Sequence, residues 1–274
     1  MKNLLFATGV ALLLMSCLGS DFDQGMQDIA VKTITEKTYI GIEEAGNIRK
    51  GDLEDHNVKT YNRKGLLIED ADYNVSNGNL YQKTTYTYND KDLKVEEAFW
   101  DGDGSLNYKK TFTYNDKNLL EEEKMTNPDG SLVSENVYEY DTNGYLKEKR
   151  NYDSNRKLES KDAYEYDAAG NQIAWSQFTA KNFLKFKYVY RYDSKNRKIS
   201  EQYYNPDDTK GNGTTYEYNN QGDIIKESTY NEFGVLIAQV EQKYTYGYLG
   251  IWSVRITHTR NAGISVTERE IALY

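Results

Sequence analysis

Apolar and polar residues alternate along most of this chain in short runs that stop at turn residues. Leu132-Val133-Ser134-Glu135-Asn136-Val137-Tyr138-Glu139-Tyr140 shows the unit. A two-residue period carried by Tyr, Thr and Val, with no proline inside the run, predicts an extended strand rather than a helix. No segment after the first twenty residues reads as a convincing helix.

The runs recur at a fixed interval. Aromatic-x-Tyr pairs stand at Tyr86/Tyr88, Phe112/Tyr114, Tyr138/Tyr140, Tyr164/Tyr166, Tyr190/Tyr192 and Tyr216/Tyr218, so successive second members lie 26 residues apart. Turns follow most pairs, as in Asp141-Thr142-Asn143-Gly144 and Asn219-Asn220-Gln221-Gly222. A second set lies midway, as in Asp101-Gly102-Asp103-Gly104 and Asn127-Pro128-Asp129-Gly130. Asn and Asp bond back to their own backbone and Gly accepts positive φ, so each repeat is predicted to be a β-hairpin. The phase extends with small slips to Tyr61 and Tyr246, while residues 29–57 and 248–274 depart from the consensus as capping strands should.

Stacking the repeats aligns columns. Leu106, Leu132, Leu158, Leu184 and Leu236 form one, and Trp100, Tyr152, Phe178, Tyr204 and Tyr230 another. Glu139, Glu165, Arg191 and Glu217 define a wet face. The expected fold is all-β: an elongated antiparallel meander of 26-residue hairpins in a twisted single-layer or coiled sheet. Laid flat, about sixteen strands at ~4.8 Å would extend roughly 75 Å, and twist makes such a sheet curl. A closed barrel or a propeller stays open at this point.

Composition narrows the function. Apolar residues are 38% of the chain, and tyrosine alone accounts for 26 positions, so no thick aliphatic core is available. Net charge is −9 with both signs interspersed, which excludes a basic stripe for nucleic acid. Two histidines, His56 and His258, and one cysteine give neither a zinc spacing nor an internal disulfide, and neither histidine sits in a catalytic motif. Asp101-Gly102-Asp103-Gly104 lacks the glutamate a calcium loop needs, because Phe112 occupies that position. No metal, no cofactor and no enzymatic activity are expected.

The first residues carry an address. Met1-Lys2-Asn3 precedes an apolar run from Leu4 to Met15, too short to span a bilayer of ~30 Å, which reads as a secretory signal. Leu14-Met15-Ser16-Cys17 resembles the lipobox of bacterial lipoproteins, which implies removal of residues 1–16 and lipidation of Cys17. Residues 17–28 would then be the lipidated cysteine and a linker. Their acidic Ser20-Asp21-Phe22-Asp23 is similar to the tether of Bacteroidetes surface lipoproteins, which implies an outer-membrane site at the cell surface.

Tyr164-Glu165-Tyr166-Asp167-Ala168-Ala169-Gly170 and the stretch from Tyr138 to Gly144 resemble the Tyr-Asp repeat of the Rhs family, over residues 58–247. The motif glycine is replaced at Asp92, Asn118 and Asn196. The resemblance implies an extended β scaffold associated with cell surfaces and with carbohydrate or protein binding.

One repeat breaks its own pattern. Trp175 stands in a column that elsewhere holds Glu97, Glu123, Lys149, Glu201 and Glu227, and the same repeat adds Phe178, Phe183 and Phe186. Large apolar residues among charges need a cover, supplied either by the protein itself or by a partner. These four residues form the candidate binding patch, with Trp100 and Trp252 as weaker candidates. The expected function is a non-catalytic, lipid-anchored envelope protein that presents its sheet to a glycan or protein partner. A structural spacer or assembly component of the envelope is the alternative, and a polysaccharide-acting enzyme ranks third.

Overall fold

The computed structural model describes residues 30–247 and 250–274, so the signal, Cys17 and nearly all of the linker lie outside the described residues. The described chain forms eighteen strands and no helix. The first six are β1 (Val31–Glu44), β2 (Asn47–Tyr61), β3 (Leu67–Tyr73), β4 (Leu80–Tyr88), β5 (Lys94–Asp101) and β6 (Leu106–Tyr114). Next come β7 (Leu120–Thr126), β8 (Leu132–Tyr140), β9 (Leu146–Tyr152), β10 (Leu158–Tyr166), β11 (Gln172–Thr179) and β12 (Leu184–Tyr192). The last six are β13 (Lys198–Tyr204), β14 (Lys210–Tyr218), β15 (Ile224–Tyr230), β16 (Leu236–Tyr246), β17 (Trp252–Thr259) and β18 (Gly263–Leu273).

Each strand pairs antiparallel with the next, and β1 pairs with both β2 and β18. The single-layer meander therefore closes into a barrel, which decides what the sequence pattern left open. Closure follows from the terminal segments: the strands expected to cap an open array pair with one another instead. Thr38 meets Thr267 and Glu36 meets Arg269 across the seam, where the Arg269 guanidinium holds Glu36 at 2.5 Å. Closing the ring removes both sheet edges, the standing liability of a long meander.

The turns repeat one geometry. In Asp141–Tyr145 the Asp141 N–H donates to the Tyr145 carbonyl at 2.9 Å and the Gly144 N–H to the Asp141 carbonyl at 3.1 Å. The Asp141 carboxylate accepts from the amides of Asn143 and Tyr145, each at 2.9 Å. The fourth residue takes positive φ at Asp92, Gly104, Asn118, Gly130, Gly144, Arg156, Gly170, Asn182, Asn196, Asp208, Gly222 and Gly234. Their spacing alternates between 12 and 14 residues. Asp101-Gly102-Asp103-Gly104 belongs to this series: Asp103 accepts from the Ser105 amide and hydroxyl, and no ion is needed to explain it.

A tyrosine closes the open end of most hairpins. The hydroxyls of Tyr88, Tyr114, Tyr140, Tyr192, Tyr218 and Tyr244 donate to the carbonyls of Leu67, Lys94, Leu120, Gln172, Lys198 and Ile224, at 2.6–2.9 Å. These bonds define a tyrosine end of the barrel. The opposite, leucine end carries cross-strand pairs Tyr73/Leu80, Trp100/Leu106, Tyr152/Leu158, Phe178/Leu184 and Tyr230/Leu236.

The wall has two unlike faces. Glu139, Glu165, Arg191 and Glu217 are exposed on one, as the pattern predicts. The other bears the paired tyrosines and holds its charges deeper: the side chains of Glu97, Glu123 and Asp162 there are 14%, 15% and 2% exposed, against 47–63% for Glu139, Glu165 and Glu217. Burial pushes the hydroxyls of Tyr86 and Tyr140 up to about 12. A closed wall crowds its concave side, so the tyrosine face is the inner one. Buried apolar side chains are small or scattered, with one cluster of Val31, Ile34 and Tyr61 at the seam.

Candidate functional site

The column that contains Trp175 belongs to the inner, tyrosine face. Its members stand directly across from the first aromatic of each pair: Tyr86 opposite Glu97, Phe112 opposite Glu123, Tyr138 opposite Lys149, Tyr190 opposite Glu201 and Tyr216 opposite Glu227. The charges are partnered there, with Lys94 on Glu97 at 2.5 Å, Lys110 on Glu123 at 3.4 Å and Lys198 on Glu201 at 2.6 Å. Lys149 reaches Asp162 at 3.1 Å, and Gln177 donates to the same carboxylate at 2.9 Å. Burial would raise the Asp162 carboxyl, but these bonds and the Lys149 charge outweigh it and hold it below its ordinary value.

Trp175, on β11, breaks this scheme. It lies opposite Tyr164 on one side and Tyr188 on the other. The Tyr188 ring stacks on it at 5.6 Å and 12°, and Phe186 meets it edge-on at 5.0 Å and 85°. Tyr203 extends the group, 5.3 Å from Tyr188. The indole nitrogen of Trp175 is buried and has no acceptor. An unsatisfied buried donor costs about 1–3 kcal/mol, so the cluster holds a hydrogen bond in reserve. Desolvation also lifts the Tyr188 hydroxyl, reinforced by the Glu201 carboxylate.

The four residues singled out in the sequence do not share one surface. Trp175 and Phe186 meet on the inner face. Phe178 sits on the opposite face against Leu184, and Phe183 is at the tip of the β11–β12 turn, 67% exposed. Trp175 is half-buried by strand β12 rather than by a terminal segment. Tyr188 and Tyr203 complete the cluster and were not singled out from the sequence. The signal was available, because Tyr188 stands where other repeats have Thr84, Lys110, Asn136, Asp162 and Thr214.

The remaining candidates lie within the wall. The Trp100 indole donates to the Thr85 hydroxyl at 3.0 Å. Trp252 is 8% exposed beneath Arg269, whose guanidinium lies 3.5 Å from the ring centre. His56 lies beside Tyr73 and His258 is in β17. Among the described residues no three His, Cys, Asp or Glu side chains converge to hold a metal ion. The inner cluster can therefore offer aromatic faces to a ring, with the Trp175 indole N–H buried and unpaired behind them.

Comparison with known proteins adds the following. No protein-family model and no curated protein matches the chain. Among solved structures it is similar to a porin-like protein from Bacteroides uniformis, with a TM-score of 0.45 at 15% identity, over 88% of this chain and 96% of that one. A porin-like protein from Bacteroides vulgatus gives 0.40 at 10% identity, over 89% and 98%. The toxin complex TcdB2-TccC3 gives 0.39 at 16% identity, over 89% of this chain but 16% of that one. Likeness of this degree transfers no function, so what the wall can do follows from its own side chains.

Proposed function

We propose that the chain is a non-catalytic, lipid-anchored protein of the bacterial outer membrane, and that its barrel binds a glycan through the Trp175 cluster. The observation that carries the reading is the stacked Trp175–Phe186–Tyr188–Tyr203 group with an indole N–H lacking an acceptor. Aromatic faces stack on sugar rings, and a rigid sheet holds them in place without an ordering cost.

The anchor, rather than the barrel, supplies the membrane contact. Side chains of Glu139, Glu165, Glu217 and Glu241 are 47–63% exposed on the outer face, and charged side chains on a lipid-facing wall are destabilising toward the midplane. The wall suits water on both sides. Residue 30 enters β1 beside Tyr274, at the tyrosine end. Twelve residues lie between it and Cys17, a reach of at most roughly 45 Å. Lipid at Cys17 would thus hold the tyrosine end toward the membrane and turn the leucine end outward.

Residues 18–274 probed on a glycan array should give a saturable ligand, and Trp175→Ala should weaken its binding at least about tenfold. A ligand bound equally well by the variant would remove the cluster from the reading, and no ligand at all would favour the spacer. Cys17→Ser in the full chain should release the protein from the membrane fraction; unchanged fractionation would remove the anchor.

A further inference from the structure

A second departure from the repeat lies on the outer face at the leucine end. The column of Tyr73, Trp100, Tyr152, Phe178, Tyr204 and Tyr230 is interrupted at Thr126, which faces Leu132 where the other repeats set a ring against the same column. The space such a ring would take is open: a concavity of about 450 Å³ is lined by Lys124, Thr126, Leu132, Ser154, Asn155 and Arg156. The Thr126 hydroxyl is buried there and has no hydrogen-bond partner.

Arg156 makes the concavity a built feature rather than an omission. It holds φ at +59°, in the turn series whose other members from 92 to 234 are all Gly, Asn or Asp. A side chain with a Cβ is strained there, and strain of this kind gathers where a group must be aimed. Its Nε lies 3.1 Å from Glu135, a carboxylate 10% exposed. Lys124 bridges Glu122 at 2.5 Å and Glu135 at 3.7 Å. Two cations held from behind by Glu122 and Glu135, the Thr126 and Ser154 hydroxyls and the Asn155 amide thus line a slot with one aliphatic side, Leu132.

We infer that this slot binds a single pyranose ring of a glycan chain, lying in the place of the missing aromatic side chain. A gap with room for a ring, one apolar side and a polar lining of both donors and acceptors suits a sugar, whose faces are C–H and whose rim is hydroxyl. An aromatic side chain from a partner would fill the volume but would offer the Ser154 hydroxyl and the Asn155 amide no hydrogen bond. The inference borrows only its ligand class from the reading above; its site is on the other face of the wall and does not involve Trp175.

Saturation-transfer NMR on residues 18–274 tests it. The probes are methyl glucoside, methyl galactoside, N-acetylglucosamine and glucuronic acid, with p-cresol as the aromatic arm. At least one sugar should give a transfer signal that Thr126→Tyr, which restores the column, weakens at least about tenfold without lowering the melting temperature. Arg156→Gly, which keeps the turn, should weaken the same signal. Trp175→Ala should leave it unchanged, so failure of the inner cluster and failure of this slot read differently. The inference is overturned if no sugar signal responds to Thr126→Tyr, or if p-cresol alone does.

Discussion

Single side chains in this wall act as fasteners between neighbouring strands. Tyr140 is representative: its hydroxyl donates to the Leu120 carbonyl at 2.8 Å and so ties the open end of the β7–β8 hairpin. Tyr140→Phe should cost about 1 kcal/mol in urea unfolding. Tyr140 and Tyr218 lie in different hairpins, so a double variant with Tyr218→Phe should cost close to the sum; strong non-additivity would show that the fasteners act as one network. Asp162 is the heavier case. Its side chain is 2% exposed and balances Lys149 and two amides, so Asp162→Ala should destabilise by about 3–5 kcal/mol. Its carboxyl is held below its ordinary value, so the stability it lends is present at neutral pH and is lost only as acid titrates the folded state. The paired tyrosines were legible in the sequence because their period is fixed. The partner of Asp162 was not legible, because which lysine meets which carboxylate depends on register, and the turns on either side of β9 are flanked by bulges that shift it.

Strands and turns show why the hairpin was the easiest object to read. Period-two patterning sets the strands, and an Asn or Asp followed three residues later by a residue tolerant of positive φ sets the turns. Gly144, at φ +88°, has to stay glycine: Gly144→Val should cost about 2 kcal/mol or more, measured by thermal unfolding. Asn118→Gly, at φ +59°, should be neutral or slightly stabilising in the same measurement, and a large loss there would contradict this account of the turn. The Trp175 column was harder to place. The charges at Glu97, Glu123 and Glu201 pointed to water, but in the fold they are neutralised by Lys94, Lys110 and Lys198 on the enclosed face. Sequence shows that a position is charged; it does not show whether the charge is partnered.

At the scale of the molecule, many weak cross-strand terms replace a deep interior, and their common vulnerability is tyrosine. Burial lifts the hydroxyls of Tyr61, Tyr86, Tyr140 and Tyr190 to about 12, above the value of 10 expected for the unfolded chain. A raised folded value contributes stability that is whole below pH 10 and drains away as pH climbs toward 12. Tyrosinate absorbance and loss of the β signal in circular dichroism should therefore rise together in one alkaline step. Ionisation completed before any loss of structure would show that the hydroxyls are free. Closure itself was beyond the sequence pattern, because an open ribbon and a ring share the same hairpins and differ only in whether β1 finds β18. Removing residues 263–274 should expose two edges and shift the protein to larger, associating species on gel filtration.

The seam also sets an order of events. β1 is the first strand to be made, yet its second partner is the last, more than two hundred residues later. Neighbouring hairpins can zip locally as they emerge, but the β1–β18 contacts require the whole chain and have the largest loop to close. Until then the protein is a ribbon with two sticky margins, and a chain released early has no way to bury them. Ring closure should be the slow final phase of refolding, and substitutions at Glu36 or Arg269 should slow that phase while leaving the earlier hairpin signal untouched.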